Sequence, residues 1–396
     1  MLRSTARRRR ISSGGKSLVP LGLSILNARR PRFCFPLQNL NSYALKTDVE
    51  TTSRKQLSDA KKLVFALAVS IVSIALICVL TLSAETLTYI RNISLQFLVA
   101  AAIAHILSWL FAALRIRALS AALGTKIRLK ESFKAVVAGL FPAAVTPTML
   151  GGEPVRAYVL HKSGLSAGNA AAVVLSERIL DVFFFLLMLP FAFVVFFGVL
   201  RSGTATSGLQ RILTAVMISV LVLLLLGVLT ALIGMLRPEV FKKASLPLQN
   251  FIKRVVGRIS AKDSKRERLL EKVAREIENF KNGLLMLLRR KKSIADSMFF
   301  TALHWCVDFS TPSLILLGLG ARPAFVGLFA AQVIIVVLTM LPTPGGSGVA
   351  EFGALTLFSP FVSVSLLAPV IVAWRLVTYY VNIVVSGALQ YKLLRA

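Results

Sequence analysis

Apolar runs about as long as a bilayer is thick, separated by short polar loops, recur along this chain. A membrane-spanning helix takes about 20 predominantly apolar residues, and the windows 63–82, 95–114, 179–200, 212–236, 298–319, 325–341 and 366–389 approach or exceed that length. An eighth run, 133–150, is interrupted by Pro142 and Pro147 and closed by Gly151 and Gly152. The pattern predicts an all-α polytopic membrane bundle of six to eight spans. In the segment 237–297, Leu270, Val273, Ile277, Phe280, Leu284 and Leu287 recur every three or four residues among Lys and Arg. That spacing predicts an amphipathic helix. The reading favoured for it is the surface of the inner leaflet, the alternative a short coiled-coil seam.

Loop charge orients these elements. The leader with Lys61 and Lys62, the loop carrying Arg115, Arg117, Lys126, Arg128 and Lys130, and the segment 237–297 are basic, which assigns them to the cytoplasmic side. The loops 83–94 and 201–210 are short and nearly uncharged, and belong outside. Holding 115–130 and 237–297 on one side requires an even number of crossings between them, and 179–200 and 212–236 supply two. The broken run 133–150 is therefore expected to enter from the cytoplasm, turn near Thr146 and Pro147, and leave on the same side. Placing Lys392 and Arg395 inside asks the same of 325–360, entered from outside with the PTPGG turn at its tip. Otherwise 325–341 simply spans and the C-terminus lies outside. Non-helical backbone at membrane depth persists only where it is buried in protein or lines a wet cavity. Two broken elements entering from opposite faces are what an inverted repeat produces, and such pairs bracket transport sites.

Composition agrees with the pattern. Of 396 residues, 56% are hydrophobic and 16% charged, where a soluble domain carries about a quarter charged; mean hydropathy is +0.74. The net charge of +30 sits between the spans and in the leader, not interleaved with aromatics on a soluble fold. Nucleic-acid binding is therefore not expected, and anionic or glycosylated membrane lipids are the expected partners. Residues 1–60 form a separate basic, polar leader with no acid before Asp48, readable as an organellar transit peptide or as a cytoplasmic tail. The domain 61–396 then belongs in the cell membrane, or in an organellar inner membrane if the leader is a transit peptide. Assembly with a second copy or with a synthase is a further expectation.

Charge within a bilayer costs several kcal/mol per residue on simple estimates, so the charges set among these apolar runs need partners, water or a task. Glu153, Arg156, Glu177, Arg178 and Asp181 are the leading candidates. Glu177 and Asp181, four apart, share one helix face and require a cation or water, for which Arg156 or Arg178 are available. Gly151 and Gly152 permit close backbone approach, and an arginine beside exposed amides suits a lipid phosphate. The alternative is a structural salt-bridge cluster at the inner interface. In the second broken element Pro344, Gly345 and Gly346 precede Glu351, whose candidate partners are the other broken element or Arg375 in the final span. His304 and Asp308, four apart, form a candidate proton relay, against the plainer reading of a histidine packed as a polar contact between helices.

Enzyme chemistry is thinly represented. There is no Ser-His-Asp set, no HExxH and no Gly-rich nucleotide loop, and the outer loops are nearly free of Asp and Glu. Cys34, Cys78 and Cys306 are scattered, without disulfide or metal spacing. No catalytic residue, metal or cofactor is expected.

Three ordered motifs carry a family resemblance: G-G-E-x-x-R at 151–156, E-R-x-x-D at 177–181 and P-x-P-G-G-x-G-x-x-E at 342–351, with FKNGL at 280–284 in addition. Over about residues 60–392 the chain resembles the family named for the transmembrane region of lysylphosphatidylglycerol synthases, a flippase-like group of integral membrane proteins. The resemblance implies a helical lipid-handling domain, which in the best-known relatives moves aminoacylated phosphatidylglycerol between leaflets. Those relatives add a soluble aminoacyl-transferase domain after the membrane part; such a domain is not expected here, so the resemblance implies translocation alone. Other relatives without that domain are tied to glycolipid or polyprenyl-linked sugar pathways. The implied function is translocation of an amphipathic phospho- or glycolipid without ATPase or transferase motifs. The alternative is a membrane-embedded subunit or enzyme of lipid or cell-envelope glycoconjugate synthesis. The family's charged positions fall on Glu153, Arg156, Glu177, Arg178, Asp181 and Glu351.

Overall fold

Helix accounts for all regular structure among the residues that the computed structural model describes, which are 68–79, 83–146, 149–201, several positions between 208 and 222, 263–341, 343 and 345–395. The leader, the window 212–236 for the most part, and Pro147, Pro342 and Pro344 lie outside the described residues. In chain order the helices are α1 (Ala68–Val79), α2 (Ala84–Arg91), α3 (Leu95–Ala122), α4 (Leu129–Val145), α5 (Gly152–Lys162) and α6 (Ala167–Arg201). They continue with α7 (Asp263–Arg289), α8 (Lys291–Phe309), α9 (Thr311–Gly318), α10 (Phe325–Leu338), α11 (Val349–Phe358), α12 (Val364–Arg375) and α13 (Val381–Arg395). A π-helical turn, Leu376–Tyr380, joins the last two.

Among the described residues, four stretches are long and apolar enough to cross a bilayer: Leu95–Ala122, Ala167–Val199, Lys291–Gly318 and Val364–Lys392. By contrast α5 and α11 have 11 and 10 residues, roughly 15 Å of helix at 1.5 Å per residue, about half the ~30 Å hydrocarbon core. Each is the return arm of a hairpin. A Cβ added to Gly152 would lie 2.5 Å from the Gly139 carbonyl oxygen, and one on Gly139 2.7 Å from Arg156 Cγ. Glycine at both positions therefore brings the backbones of α4 and α5 together and leaves room for the arginine stem. The second hairpin, α10 to α11, repeats the form. Its turn uses left-handed glycines, Gly345 (φ 57°), Gly346 (φ 70°) and Gly348 (φ 83°), where a Cβ is disfavoured.

The hairpin tips touch. The Gly345 N–H donates to the Thr146 carbonyl oxygen (3.2 Å), and the Tyr379 hydroxyl donates to the Ala144 carbonyl oxygen (3.2 Å). Two proline breaks are repaired by neighbouring helices, as a low-dielectric surround demands. Pro142 leaves the Ala138 carbonyl without its helical donor, and Gln390 Nε2 on α13 donates to it (2.7 Å). Pro369 does the same to Ser365, whose carbonyl accepts from Thr86 Oγ1 (2.9 Å).

Among the described residues the buried apolar side chains form two cores, with a polar belt of buried charges near their junction on α6. One gathers Trp109, Ile116, Ala138, Leu160, Val173 and their neighbours on α3 to α6; the other gathers Phe196, Ile335, Phe358 and Ile371 with the second half of α6 and α9 to α12. Helix α6 runs through both, and Glu177 and Asp181 fall where one gives way to the other.

One sequence expectation needs correction here, and another gains detail. The window 95–114 continues as helix to Ala122, so Arg115 and Arg117 are helical residues and not loop residues, and Arg115 is buried. The amphipathic segment docks on the start of α6, where a Cβ on Gly168 would run into the Glu276 carbonyl and one on Gly283 would lie 2.7 Å from Asn169 Oδ1. Glu276 caps that end of α6, accepting from the Gly168 N–H at 2.7 Å. One face of α7 is thus committed to protein, with Ile277, Leu285 and Met286 left exposed.

Candidate functional site: buried charges between two hairpins

The belt is built by Arg115 on α3, Glu153 and Arg156 on α5, Glu177, Arg178 and Asp181 on α6, and Thr301 and Trp305 on α8. Arg115 grips both acids of α6: Nη1 lies 2.6 Å from Asp181 Oδ1, and Nη2 and Nε lie 2.9 and 3.1 Å from Glu177 Oε1. A guanidinium fork bridging two carboxylates one turn apart is geometry that a lysine cannot supply. Asp181 also accepts from Trp305 Nε1 (3.0 Å) and from Arg178 Nη1 (3.2 Å). Arg178 Nε reaches back to Glu153 Oε1 (2.6 Å), and Arg156 Nη2 donates to Glu177 Oε1 (3.2 Å). Three guanidinium groups and three carboxylates neutralise one another. Yet Glu177 Oε2 and Arg156 Nε, both buried, have no hydrogen-bond partner among the described residues. Arg156 is therefore a buried cation with donor capacity to spare, a few residues past the α4–α5 tip.

The first hairpin's turn is held locally. Thr146 Oγ1 donates to the Pro142 carbonyl (2.8 Å) and accepts from the Gly151 N–H (2.8 Å). Met149, with φ 58°, holds a left-handed conformation that a residue with a Cβ rarely adopts. Its Cε would lie 2.9 Å from a Cβ on Gly346 of the other hairpin.

A second ion pair occupies the equivalent place in the other hairpin. Glu351, in the first turn of α11, accepts from Arg375 Nε (2.9 Å), Ser70 Oγ (2.7 Å) and the Gly348 N–H (2.7 Å). Arg375 also lies over the Tyr379 ring, 4.7 Å from its centroid. The parallel with the first half is close. In each hairpin a glutamate opens the return arm and pairs with an arginine on the next long helix, Glu153 with Arg178 at a separation of 25 residues and Glu351 with Arg375 at 24. Of the two partners weighed for Glu351, Arg375 is the one in contact. The π turn begins immediately after it, and such turns recur at functional sites.

His304 and Asp308 do not meet as a directly bonded relay. Asp308 Oδ1 instead faces His105 Nδ1 on α3 at 2.7 Å, while His304 Nδ1 bonds the Ser108 carbonyl (2.9 Å). The antiparallel α3–α8 pair thus carries a polar seam: Arg115 with Thr301 (3.3 Å), Ser108 with His304, and His105 with Asp308. Sequence reasoning missed Arg115, His105, Trp305, Ser70 and Tyr379. For Arg115 a signal was available, since Ile116 and Leu119 continue the apolar face past it. Among the described residues no group of three or more potential metal ligands comes together.

Comparison with known proteins agrees with this architecture. A UPF0104 membrane protein of Archaeoglobus fulgidus is 32% identical over 333 residues, 83% of this chain and 96% of its own length. A second from Pyrococcus horikoshii is 25% identical over 316 residues, 78% and 90% of the two chains. A third from Methanothermobacter thermautotrophicus is 27% identical over 256 residues, 63% and 72%. The family model described as lysylphosphatidylglycerol synthase TM region matches residues 63–386, a stretch that takes in both hairpins, and the chain belongs to that family of integral membrane proteins.

Proposed function

We propose that this protein binds an amphipathic lipid with a phosphate- or sugar-bearing headgroup and moves it between leaflets of the cell membrane. The observation that carries this reading is Arg156: a buried guanidinium whose Nε is unpartnered among the described residues, next to two broken hairpins that meet tip to tip. Intramembrane charges are costly enough to be functional by default, and half-helices that stop inside the bundle offer backbone groups to a polar head at a depth where lipid offers none. The headgroup would enter between the tips at Thr146 and Gly345, exchanging protein ion pairs for contacts with Arg156 and its neighbours, while the acyl chains stay in the bilayer.

The test is leaflet exchange in proteoliposomes loaded with fluorescent anionic, zwitterionic and glycosylated lipids. Wild type should accelerate exchange of at least one class. Arg156→Ala should reduce it by about tenfold or more, the loss of one charge-assisted contact of about 1.5–3 kcal/mol. Unchanged exchange in a folded Arg156→Ala protein removes the residue from the site. A second reading is favoured by the word synthase in the family's description: a membrane subunit of lipid or glycoconjugate synthesis. Cells lacking the protein would then lack a finished lipid, whereas under the transport reading that lipid accumulates on one leaflet.

A further inference from the structure

His105 stands with both ring nitrogens against oxygen atoms. Nδ1 is 2.7 Å from Asp308 Oδ1 on α8, and Nε2 is 2.9 Å from Asn382 Oδ1 on α13. The orientation of Asn382 is fixed, because its Nδ2 donates to the Thr378 carbonyl. Its Oδ1 is therefore what faces the ring, and Nε2 must carry a hydrogen. That leaves the short contact at Nδ1. Ser108 Oγ lies 2.7 Å from the His105 carbonyl and 3.2 Å from Asp308 Oδ1; its single hydrogen serves the nearer acceptor. A bare Nδ1 lone pair facing a bare carboxylate oxygen at 2.7 Å is repulsive, so a further hydrogen must lie between them.

We propose that His105 and Asp308 form a proton-binding site that clasps α3, α8 and α13 together when occupied. In the occupied state the ring is an imidazolium hydrogen-bonded to a carboxylate and to Asn382, and the pair is neutral. On release, the Nδ1 proton passes to Asp308 Oδ1 and from there to water. The route runs through Asp308, whose side chain is 20% exposed while that of His105 is 6% exposed. What remains is a neutral ring with Nε2–H on Asn382 and two acceptors facing each other, an arrangement that drives α3 and α8 apart at this level.

The other ionisable groups near the pair are each engaged elsewhere, and His304, one turn from Asp308, is the nearest of them on α8. On α8, His304 is held by the Ser108 carbonyl. From α6, Asp181 is engaged by Arg115 and by Trp305. Arg115 itself, further along α3, is occupied by Glu177 and Asp181. On the π turn, the hydroxyls of Tyr379 and Tyr380 are bonded to the Ala144 carbonyl and to Ser70. Coupling this proton to lipid movement rests on the function proposed above; the proton site itself does not.

The chain contains three histidines, so the test is nitrogen-15 histidine NMR of the full chain in phosphatidylglycerol–phosphatidylcholine nanodiscs between about pH 5 and pH 9. His161→Gln and His304→Gln assign the other two signals. Expected at neutral pH is a His105 ring with both nitrogens protonated, losing one proton in a single transition as pH rises. In Asp308→Asn the ring carries one proton at that same pH. A wild-type His105 that is singly protonated throughout overturns the site, and this holds even if the variant does not fold; an Asp308→Asn spectrum with His105 unchanged overturns it equally. The second arm measures fluorescent-lipid exchange in vesicles with and without a pH gradient. A gradient response that Asp308→Asn abolishes supports coupling, and exchange indifferent to both removes coupling while the NMR result still decides the proton site. Absence of any wild-type exchange fails the transport reading, and again the spectrum alone judges the proton.

Discussion

Arg115 on α3 and Glu177 on α6 face each other inside the bundle, Nη2 2.9 Å from Oε1, with the arginine 2% and the glutamate 0% exposed. Replacing Arg115 with Ala strands Glu177 and Asp181 together without their shared cation. Breaking a buried pair by removing one partner costs about 3–5 kcal/mol. Arg178 supplies the control, since its side chain is 42% exposed; its Ala variant should cost no more than about 1 kcal/mol. Thermal unfolding in detergent, followed by tryptophan fluorescence, should show a large downward shift for Arg115→Ala and a small one for Arg178→Ala. Equal shifts would mean that the network does not centre on Arg115.

The contrast between Arg115 and the hairpins shows what local pattern can and cannot carry. Pro142, Gly151 and Gly152, and Gly345 and Gly346 announce breaks because their backbone chemistry is local, and both breaks were legible. So was the shared face of Glu177 and Asp181. By sequence Arg115 stands in a cytoplasmic loop, because the unbroken apolar run stops at Leu114. A charge next to an apolar run resembles a loop until its carboxylate partners, more than sixty residues away on α6, are known. His304 and Asp308 failed for the converse reason. A spacing of four places two side chains on one face, but each can turn to the helix opposite, and α3 offered His105 and the Ser108 carbonyl at 2.7 and 2.9 Å.

The tip contact makes its own prediction. Gly345 combines φ 57° with a neighbour, the Ala144 carbonyl, standing where a Cβ would go. Gly345→Ala should destabilise the fold by roughly 1–3 kcal/mol of backbone strain and in addition separate the two tips. Gly320, with φ 76° and open space around the Cβ position, isolates the strain alone. Melting temperatures should fall for both variants, and leaflet exchange should change only for Gly345→Ala.

Docking of α7 on α6 should respond to acid. The Gly168 N–H, donating to Glu276 at 2.7 Å, holds its carboxyl below the ordinary 4.5, helped by Asn279. A carboxylate depressed in the folded state stabilises above its unfolded value and loses that contribution as pH falls through its folded one. Attachment of α7 should therefore be constant from neutrality down to about pH 4.5 and weaken below it. A spin label at Ile277, which is exposed, should gain mobility in that acid range. In Glu276→Gln the one-proton step should vanish.

The repair of Pro142 permits the cleanest energetic test, because break and remedy are separate residues. Gln390 Nε2 donates to the Ala138 carbonyl, the acceptor that Pro142 cannot serve. Gln390→Ala leaves that oxygen buried and unpaired, at a cost of about 1–3 kcal/mol. Pro142→Ala restores an N–H to the helix, and with it a donor for Ala138. In the Pro142→Ala background the same Gln390→Ala change should therefore cost markedly less, by at least about 1 kcal/mol in a double-mutant cycle. Unfolding midpoints of the four proteins in one detergent measure the coupling. Additive effects would show that Gln390 contributes through packing alone. A strong coupling would show that α4 tolerates a proline so near the hairpin tip because α13 supplies the missing hydrogen bond.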